Sequence, residues 1–353
     1  MKQAVDLNGK TILVTGAPGF IGAALVTRLL REMSGGTIVS VDNMNPYYAV
    51  ELKRWRLGQM EAAAEQSPVR HVFIEGSIAD GDLIDRLFSE YSFDIVVNLA
   101  AQAGVRYSIE HPDVYMESNI LGFYRILEAC RAHPVDHLVY ASSSSVYGEN
   151  AKIPFSTEDL TDGPASLYAA TKKSDELLAH AYSKLYNIPA TGLRFFTVYG
   201  PAGRPDMFYY STAEKLAAGE KIQIFNYGHM QRDFTYIDDI VEGVIRVMRG
   251  APAKAVGADG LPLAPHAVYN IGGGTPVNLL EFISVLQEEL VRAGVLPGDY
   301  DFESHRELVG MQAGDVPVTY ADAGPLERDY GFRPRIGIRE GLRAFAEWYR
   351  AWK

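Results

Sequence analysis

Tyr168 and Lys172, in the run SLYAATKK, stand four residues apart in a stretch of helical periodicity, so both side chains leave the same helix face. Such a pair can do proton chemistry. A phenol with a pKa of about 10 is a poor base near neutrality, but an adjacent ammonium favours the phenolate, and a shift of about three units corresponds to roughly 4 kcal/mol. Upstream, YASSSSVYG closes an apolar stretch on four serines, and Ser143 is the candidate hydroxyl to share a reacting proton with Tyr168. In a chain with 21 tyrosines, a Tyr-xxx-Lys pair by itself reads equally as an exposed helix pair, and a serine cluster as a strand end satisfied by water. The surroundings decide between these readings.

The segment TILVTGAPGFIGAAL sets Gly16, Gly19 and Gly22 directly after an apolar strand and at the opening of a helix. Gly16 permits a sharp turn, Gly19 a close approach of backbone to a pyrophosphate, and Gly22 tight packing of helix on strand, with the helix N-terminus facing the anion. The next strand ends VSVDN, placing the carboxylate of Asp42 20 residues beyond Gly22, where it accepts from adenosine ribose hydroxyls or merely begins a turn. A carboxylate there repels a 2′-phosphate, which favours NAD over NADP. The run NLAAQAG has the small residues a loop needs to pass close to a cofactor, and Asn119 is placed to hold that loop. Further candidate contacts to the dinucleotide are Phe20, Ile21, Asn43, Ser77, Ile78, Leu99, Ala100, Ala101, Ser142, Phe195 and Val198, together with Tyr168 and Lys172. Beside a positive nicotinamide ring the phenolate of Tyr168 gains a second source of stabilisation, and it can take a proton from a substrate hydroxyl as hydride leaves the same carbon.

The elements that must position these groups are short β-branched runs at 11–15, 37–41, 71–75, 94–99, 137–142 and 190–196, alternating with helical patterns at 20–33, 50–65, 80–90, 113–132 and 167–187. That alternation predicts an α/β fold with a doubly wound parallel sheet of Rossmann type. Past Gly200 the alternation weakens, which predicts a smaller α/β substrate lobe. The expected division is 1–198 for the nucleotide-binding domain and 199–236 with 251–353 for the smaller one, the helix at about 237–250 returning to the first. The stretch APAKAVGADGLPLAPH reads as a surface loop.

Composition narrows the function classes. The net charge of −11 argues against a duplex-binding surface, so an anionic substrate needs a local basic pocket. The single cysteine, Cys130, lies in a helical pattern and reads as a buried structural thiol, excluding a disulfide framework. His133 and His137 have helical spacing but flank Pro134, so no metal site is expected. There is no uninterrupted apolar run of about 18 residues and no signal-peptide layout, which points to the cytoplasm.

Taken in order, TGAPGFIG, SSSSVYG, YAATK and RDFTYIDD resemble the extended short-chain dehydrogenase/reductase family over nearly the whole chain. Within it, NPYY, AAQAGVRYS, FTVYGPAGRPDM, NYGHMQRDFTYIDDIVEG and MQAGDVPVTYAD are similar to UDP-glucuronate 4-epimerases, with Ala313 where the common pattern has proline. The resemblance implies a Ser/Tyr/Lys catalytic group and a tightly held NAD that is reduced and reoxidised within one turnover. Relatives that dehydrate or decarboxylate carry acids beside the catalytic hydroxyl; here Ser144 and Ser145 stand there instead, which leaves oxidation at C4, rotation of the keto-sugar and hydride return.

A uronic acid oxidised at C4 is a β-keto acid, so its carboxylate must be held against loss of CO₂. Ser144, Ser145 and Thr197 suit that role, and Arg204 either adds a charge-assisted contact or pairs with Asp206. Arg106 and Arg232 are candidates to offset the diphosphate, or to join structural ion pairs, Arg232 with its neighbour Asp233. Phe225 and Tyr227 either flank the uracil or belong to the core, with Asn226 a further substrate candidate between them. Asp315, by resemblance, accepts from the uridine ribose, with Gln312 beside it. The helices at 113–132 and 167–187 carry apolar residues on more than one side, as a homodimer with a four-helix interface requires. The competing readings are a 4-epimerase of UDP-glucose or UDP-N-acetylglucosamine, a UDP-glucuronate decarboxylase, and a non-catalytic NAD-binding regulator.

Overall fold

Residues 2–311 and 317–353 are described by a computed structural model of the chain. Seven runs form one parallel sheet: β1 (Thr11–Thr15), β2 (Thr37–Asp42), β3 (Arg70–Glu75), β4 (Ile95–Asn98), β5 (His137–Ser143), β6 (Ala190–Phe195) and β7 (His266–Ile271). Across the sheet the order is β3-β2-β1-β4-β5-β6-β7. Ile12 and Val14 of β1 face one apolar layer with Ile38 and Ile95, whereas Leu13 faces a second with Val39 and Val96. Burial on both faces is why these strands read as continuous apolar runs rather than alternating ones.

The principal helices are α1 (Phe20–Glu32), α2 (Val50–Ala64), α3 (Gly81–Tyr91), α4 (Gly122–Ala132), α5 (Leu167–Tyr186), α6 (Phe208–Ala217), α7 (Ile237–Met248), α8 (Leu279–Arg292) and α9 (Ile338–Trp352). Apolar residues of α1, α2 and α7 join the first layer, and those of α3, α4 and α5 the second. Strand β1 has β2 on one side and β4 on the other, so the connections leave it in opposite directions and open a crevice at the carboxyl ends of the strands. Among the described residues no helix is long and apolar enough to cross a membrane.

Two expectations need correction. The stretch assigned to the smaller lobe from 251 onward supplies β7, which pairs with β6 from His266↔Ala190 to Ile271↔Phe195. Six residues after a loop rich in Gly and Pro carry no sign of which sheet they will join, and that loop itself holds only a small hairpin of Ala255–Val256 with Pro262–Leu263. The helix expected over 113–132 is not uniform: Pro112–Tyr115 leads into a π-helical segment, Met116–Leu121, before α4 begins at Gly122. A period of 3.6 read from the sequence cannot register one extra residue in a turn.

The helix α7 packs on α1. The RDFTYIDD motif is the joint between the two halves. The buried carboxylate of Asp233 accepts from the backbone N–H groups of Gly273 at 2.7 Å and of Gly274 and Ala321 at 3.0 Å. Phe234–Tyr236 pairs in parallel with Thr197–Tyr199, and Asp239 accepts from the backbone of Arg335 and Ile336 at 3.0 and 2.9 Å. Beyond it, α8 packs on α9, Gln231–Arg232 lies between Val277–Asn278 and Val318–Thr319, and Ile222–Ile224 pairs with Arg306–Leu308.

Candidate active site

The turn after β1 has the form its glycines require. Gly16 has φ +69° and donates to the Val41 carbonyl at 2.7 Å, and a Cβ there would lie 2.8 Å from the Ala100 nitrogen. A Cβ on Gly22 would come within 2.4 Å of the Gly16 carbonyl oxygen, so only glycine lets α1 start so close to β1. Thr15 ties this turn to the neighbouring loop: its Oγ1 donates to Asn98 Oδ1 at 2.6 Å and accepts from the Ala100 N–H at 3.1 Å.

Asp42 ends β2, where Oδ1 accepts from the Met44 N–H at 2.7 Å and from Lys53 Nζ at 3.2 Å. It therefore does start a turn, and its carboxylate also lines the cleft. Lys53 is buried and bonds Asn45 Oδ1 at 3.2 Å. Asn119 lies in the π-helical segment. Its Oδ1 accepts from the Gln102 N–H at 2.8 Å, and its Nδ2 donates to the Gln102 carbonyl at 3.1 Å and to Thr171 Oγ1 at 3.0 Å. It holds the loop and α5 together without lining the cleft.

The serines at the end of β5 meet α5. Ser143 Oγ accepts from the Ser145 N–H at 3.2 Å and donates to Ser145 Oγ at 3.2 Å. Ser142 is committed elsewhere, donating to Glu176 Oε1 at 2.7 Å. Helix α5 is capped by Ser166, whose hydroxyl accepts from the Ala169 N–H at 3.1 Å, and its first turns bring Tyr168 and Lys172 to the cleft. Lys172 is buried; Nζ donates to the Ala141 carbonyl at 3.0 Å and to Asp175 Oδ2 at 3.1 Å. Tyr115 packs edge-on against Tyr168, with ring centroids 6.0 Å apart.

One cleft of about 370 Å³, within the range of ligand pockets, gathers these groups. It is lined by Gly16, Gly19, Phe20, Ile21 and Gly22 from the turn, Asp42 and Asn43 from β2, and Ser77 and Ile78 from beyond β3. Leu99, Ala100 and Ala101 follow β4, and Ser142 to Ser145, Tyr168, Lys172, Phe195, Thr197, Val198 and Arg204 complete its inner wall. Arg204 forms the ion pair weighed for it, its Nε and terminal nitrogen donating to Asp206 at 3.0 and 2.7 Å, and it also lines the cleft. Arg204 holds the Asp206 carboxyl below the usual carboxylate range, against the burial that raises it. Tyr47, burial pushing it up to about 12, donates to Asp206 Oδ2 at 3.2 Å from the opposite wall.

Five expected substrate contacts lie outside this cleft. The Arg106 guanidinium sits 5.9 Å over the Phe225 ring, so these two meet each other. Asn226 and Tyr227 take left-handed conformations, with Asn226 Nδ2 donating to the His229 carbonyl at 2.8 Å. Arg232 donates to the Gln231 and Pro317 carbonyls at 3.0 and 3.2 Å, whereas Asp233 is spent on Gly273, Gly274 and Ala321. Gln312, Ala313 and Asp315 fall outside the described residues.

The sequence reading missed Lys53, Tyr47 and Arg56. Arg56 is buried and donates to the carbonyls of Pro18, Ala202 (twice) and Gly203 between 2.8 and 3.0 Å, and to the Tyr48 hydroxyl at 2.6 Å. It thereby joins the glycine turn to the loop that carries Arg204. The one signal for it in the sequence is a basic residue within a helix of almost no amphipathic character.

Residues 12–272 match the family model described as the NAD dependent epimerase/dehydratase family. Protein CapI of Staphylococcus aureus is 45% identical over 344 residues, covering 96% of this chain and 98% of that one. UDP-glucuronate 4-epimerase 4 of Arabidopsis thaliana is 43% identical over 349 residues, or 97% and 76% of the two chains. Among solved structures, that of UDP-glucuronic acid 4-epimerase from Bacillus cereus in complex with UDP-glucuronic acid and NAD superposes with a TM-score of 0.82 at 30% identity, covering 97% of this chain and 100% of that one.

Proposed function

The chain belongs to the NAD-dependent epimerase/dehydratase family, and from that premise we propose that it is an isomerase that inverts C4 of a UDP-sugar, interconverting UDP-glucuronate and UDP-galacturonate. The carrying observation is one cleft that joins the glycine turn and Asp42 to Tyr168, Lys172 and Ser143, beside a strand end that offers hydroxyls and no carboxylate. The turn fits a dinucleotide, since side chains at Gly16 or Gly22 would collide with backbone and the opening of α1 is left bare. Gly16, Gly19, Asp42 and Lys172 would hold NAD, which when bound accepts hydride from the sugar and returns it to the opposite face.

The residues of the chain do the rest. Tyr168, with Lys172 one helical turn on, takes the proton of the C4 hydroxyl and gives it back. Ser143, held through Ser145, shares that proton. Thr197 is fixed by its N–H bond to the Asp233 carbonyl at 3.2 Å, and with Ser144, Ser145 and Arg204 it would hold the uronate carboxylate in the plane of the ketone, where CO₂ is not lost. Arg106, Phe225, Asn226, Arg232, Gln312 and Asp315 would serve the uridine and diphosphate end.

Incubation of the purified protein with UDP-glucuronate, followed by proton NMR, is expected to show the C4 hydroxyl turned from equatorial to axial. UDP-xylose with CO₂ as the main product, or turnover of UDP-glucose alone, would overturn the assignment. In the same assay Arg204→Ala is expected to raise KM for UDP-glucuronate by roughly tenfold to a hundredfold, the value of one or two charge-assisted hydrogen bonds, and to leave KM for UDP-glucose nearly unchanged.

The assembly we propose is a homodimer built on the outer faces of α5 and the 112–132 helical run. Leu177 and Leu185 are 60% and 70% exposed on α5, and Met116, Leu121 and Tyr124 extend the patch on the neighbouring run. Light scattering at micromolar concentration is expected to give twice the chain mass, and Leu177→Arg with Leu185→Arg to give monomers.

A further inference from the structure

One buried acid beside the catalytic pair has no part in the mechanism above. Asp175 lies three residues beyond Lys172 on α5, its carboxylate 2% exposed and 3.1 Å from Lys172 Nζ. Its other oxygen, Oδ1, has no hydrogen-bond partner among the described residues. An ammonium has three protons to donate. Two of those on Lys172 are taken by the Ala141 carbonyl and Asp175, which leaves one to point into the cleft.

We propose that Asp175 is a positioning residue that tunes the proton affinity of Tyr168 through Lys172: ionised, it aims and partly cancels the ammonium; protonated, it leaves the full positive charge to the phenol. This rests on Tyr168 being the base of the epimerisation. An epimerase must take a proton and return it to the same oxygen within one turnover, so its base works best with a pKa near the operating pH. An uncompensated buried ammonium would hold the phenolate too firmly, and an acid behind the lysine restrains it.

The neighbours leave this role to Asp175. Glu176 on the same helix is held low by Arg194 of β6, which it meets at 2.8 Å through both oxygens. Tyr140 of β5 is raised well above the usual phenol range by burial, and His266 of β7, 2.8 Å from its hydroxyl, is lowered by burial to about 4. Burial pushes Asp175 the other way from an ordinary carboxyl, up to about 7, with Lys172 opposing and Glu176 adding to the rise. Of this cluster, Asp175 is the group that changes charge near neutrality.

Under this proposal, loss of a proton from Asp175 and loss of the proton of Tyr168 disfavour each other across Lys172. The acidic limb of the wild-type kcat profile is expected to be shallower than a single titration. Asp175→Asn keeps the shape and removes the charge; its limb is expected to steepen to one proton and to move about one pH unit lower. Asp175→Glu is expected to keep the shallow limb. A limb unchanged in Asp175→Asn, or moved to higher pH, would overturn the proposal. If Asp175→Asn does not fold, the wild-type limb decides, since a slope of one proton is incompatible with the coupling. If the wild-type protein turns over no UDP-sugar, the epimerase reading has failed on its own. The tyrosinate absorbance lost on Tyr168→Phe, followed against pH with and without D175N, then reports the coupling without any turnover, and an unmoved midpoint would again sink it.

Discussion

Tyr168→Phe is expected to lower kcat for UDP-glucuronate by about a thousandfold, within the range that general acid–base catalysis contributes, while the protein still folds and retains NAD. The substitution removes one hydroxyl from a ring packed edge-on against Tyr115 and leaves the ring in place, so packing is preserved. It also leaves Lys172 bonded to Ala141 and Asp175 as before. The loss should fall on kcat with KM little changed, because a proton in transit contributes to the transition state and not to ground-state binding. NMR of the product gives the rate, and the cofactor released on denaturation gives its occupancy. A loss below tenfold would remove Tyr168 from the role of base.

The largest structural effect is expected at Arg194→Met. Arg194 and Glu176 are buried, joined by two bonds of 2.8 Å, with Ser142 completing the carboxylate at 2.7 Å. The arginine also lies 4.9 Å over the Tyr147 ring. Removing it leaves the buried carboxylate with only the Ser142 hydroxyl and the more distant Lys173, at 3.7 Å, a loss of about 3–5 kcal/mol. Denaturant unfolding followed by circular dichroism should show the midpoint fall accordingly. Adding Glu176→Leu should recover much of the loss, because the uncompensated charge and not the missing packing dominates it. Two independent, additive destabilisations would show that the pair is not a unit.

The glycine turn, the Tyr168–Lys172 pair and six of the seven strands were legible because each is a local pattern: a φ requirement, a four-residue spacing, a run of β-branched residues. What escaped depends on partners far along the chain. His266–Ile271 becomes a strand of the central sheet only because Ala190–Phe195 offers it an edge. The acid at Asp175 is one of many helical carboxylates until the packing of its helix buries it. Arg56 reads as a surface cation, yet its five donated bonds all go to groups outside its own helix. Among the substrate candidates, Arg204 and the serines converge on the cleft, whereas Arg106 meets Phe225 and Arg232 meets Pro317 outside it.

Arg56 has a mechanical meaning. Its guanidinium is pinned between Pro18 on the cofactor side and Ala202 and Gly203 on the substrate side, out of reach of water. Prising those two walls apart would strand a charged group with its donors unmet, a penalty of several kcal/mol. The two walls are thus riveted at their base. The outer rim is held more lightly, where Tyr47 touches Asp206 through a single hydroxyl bond.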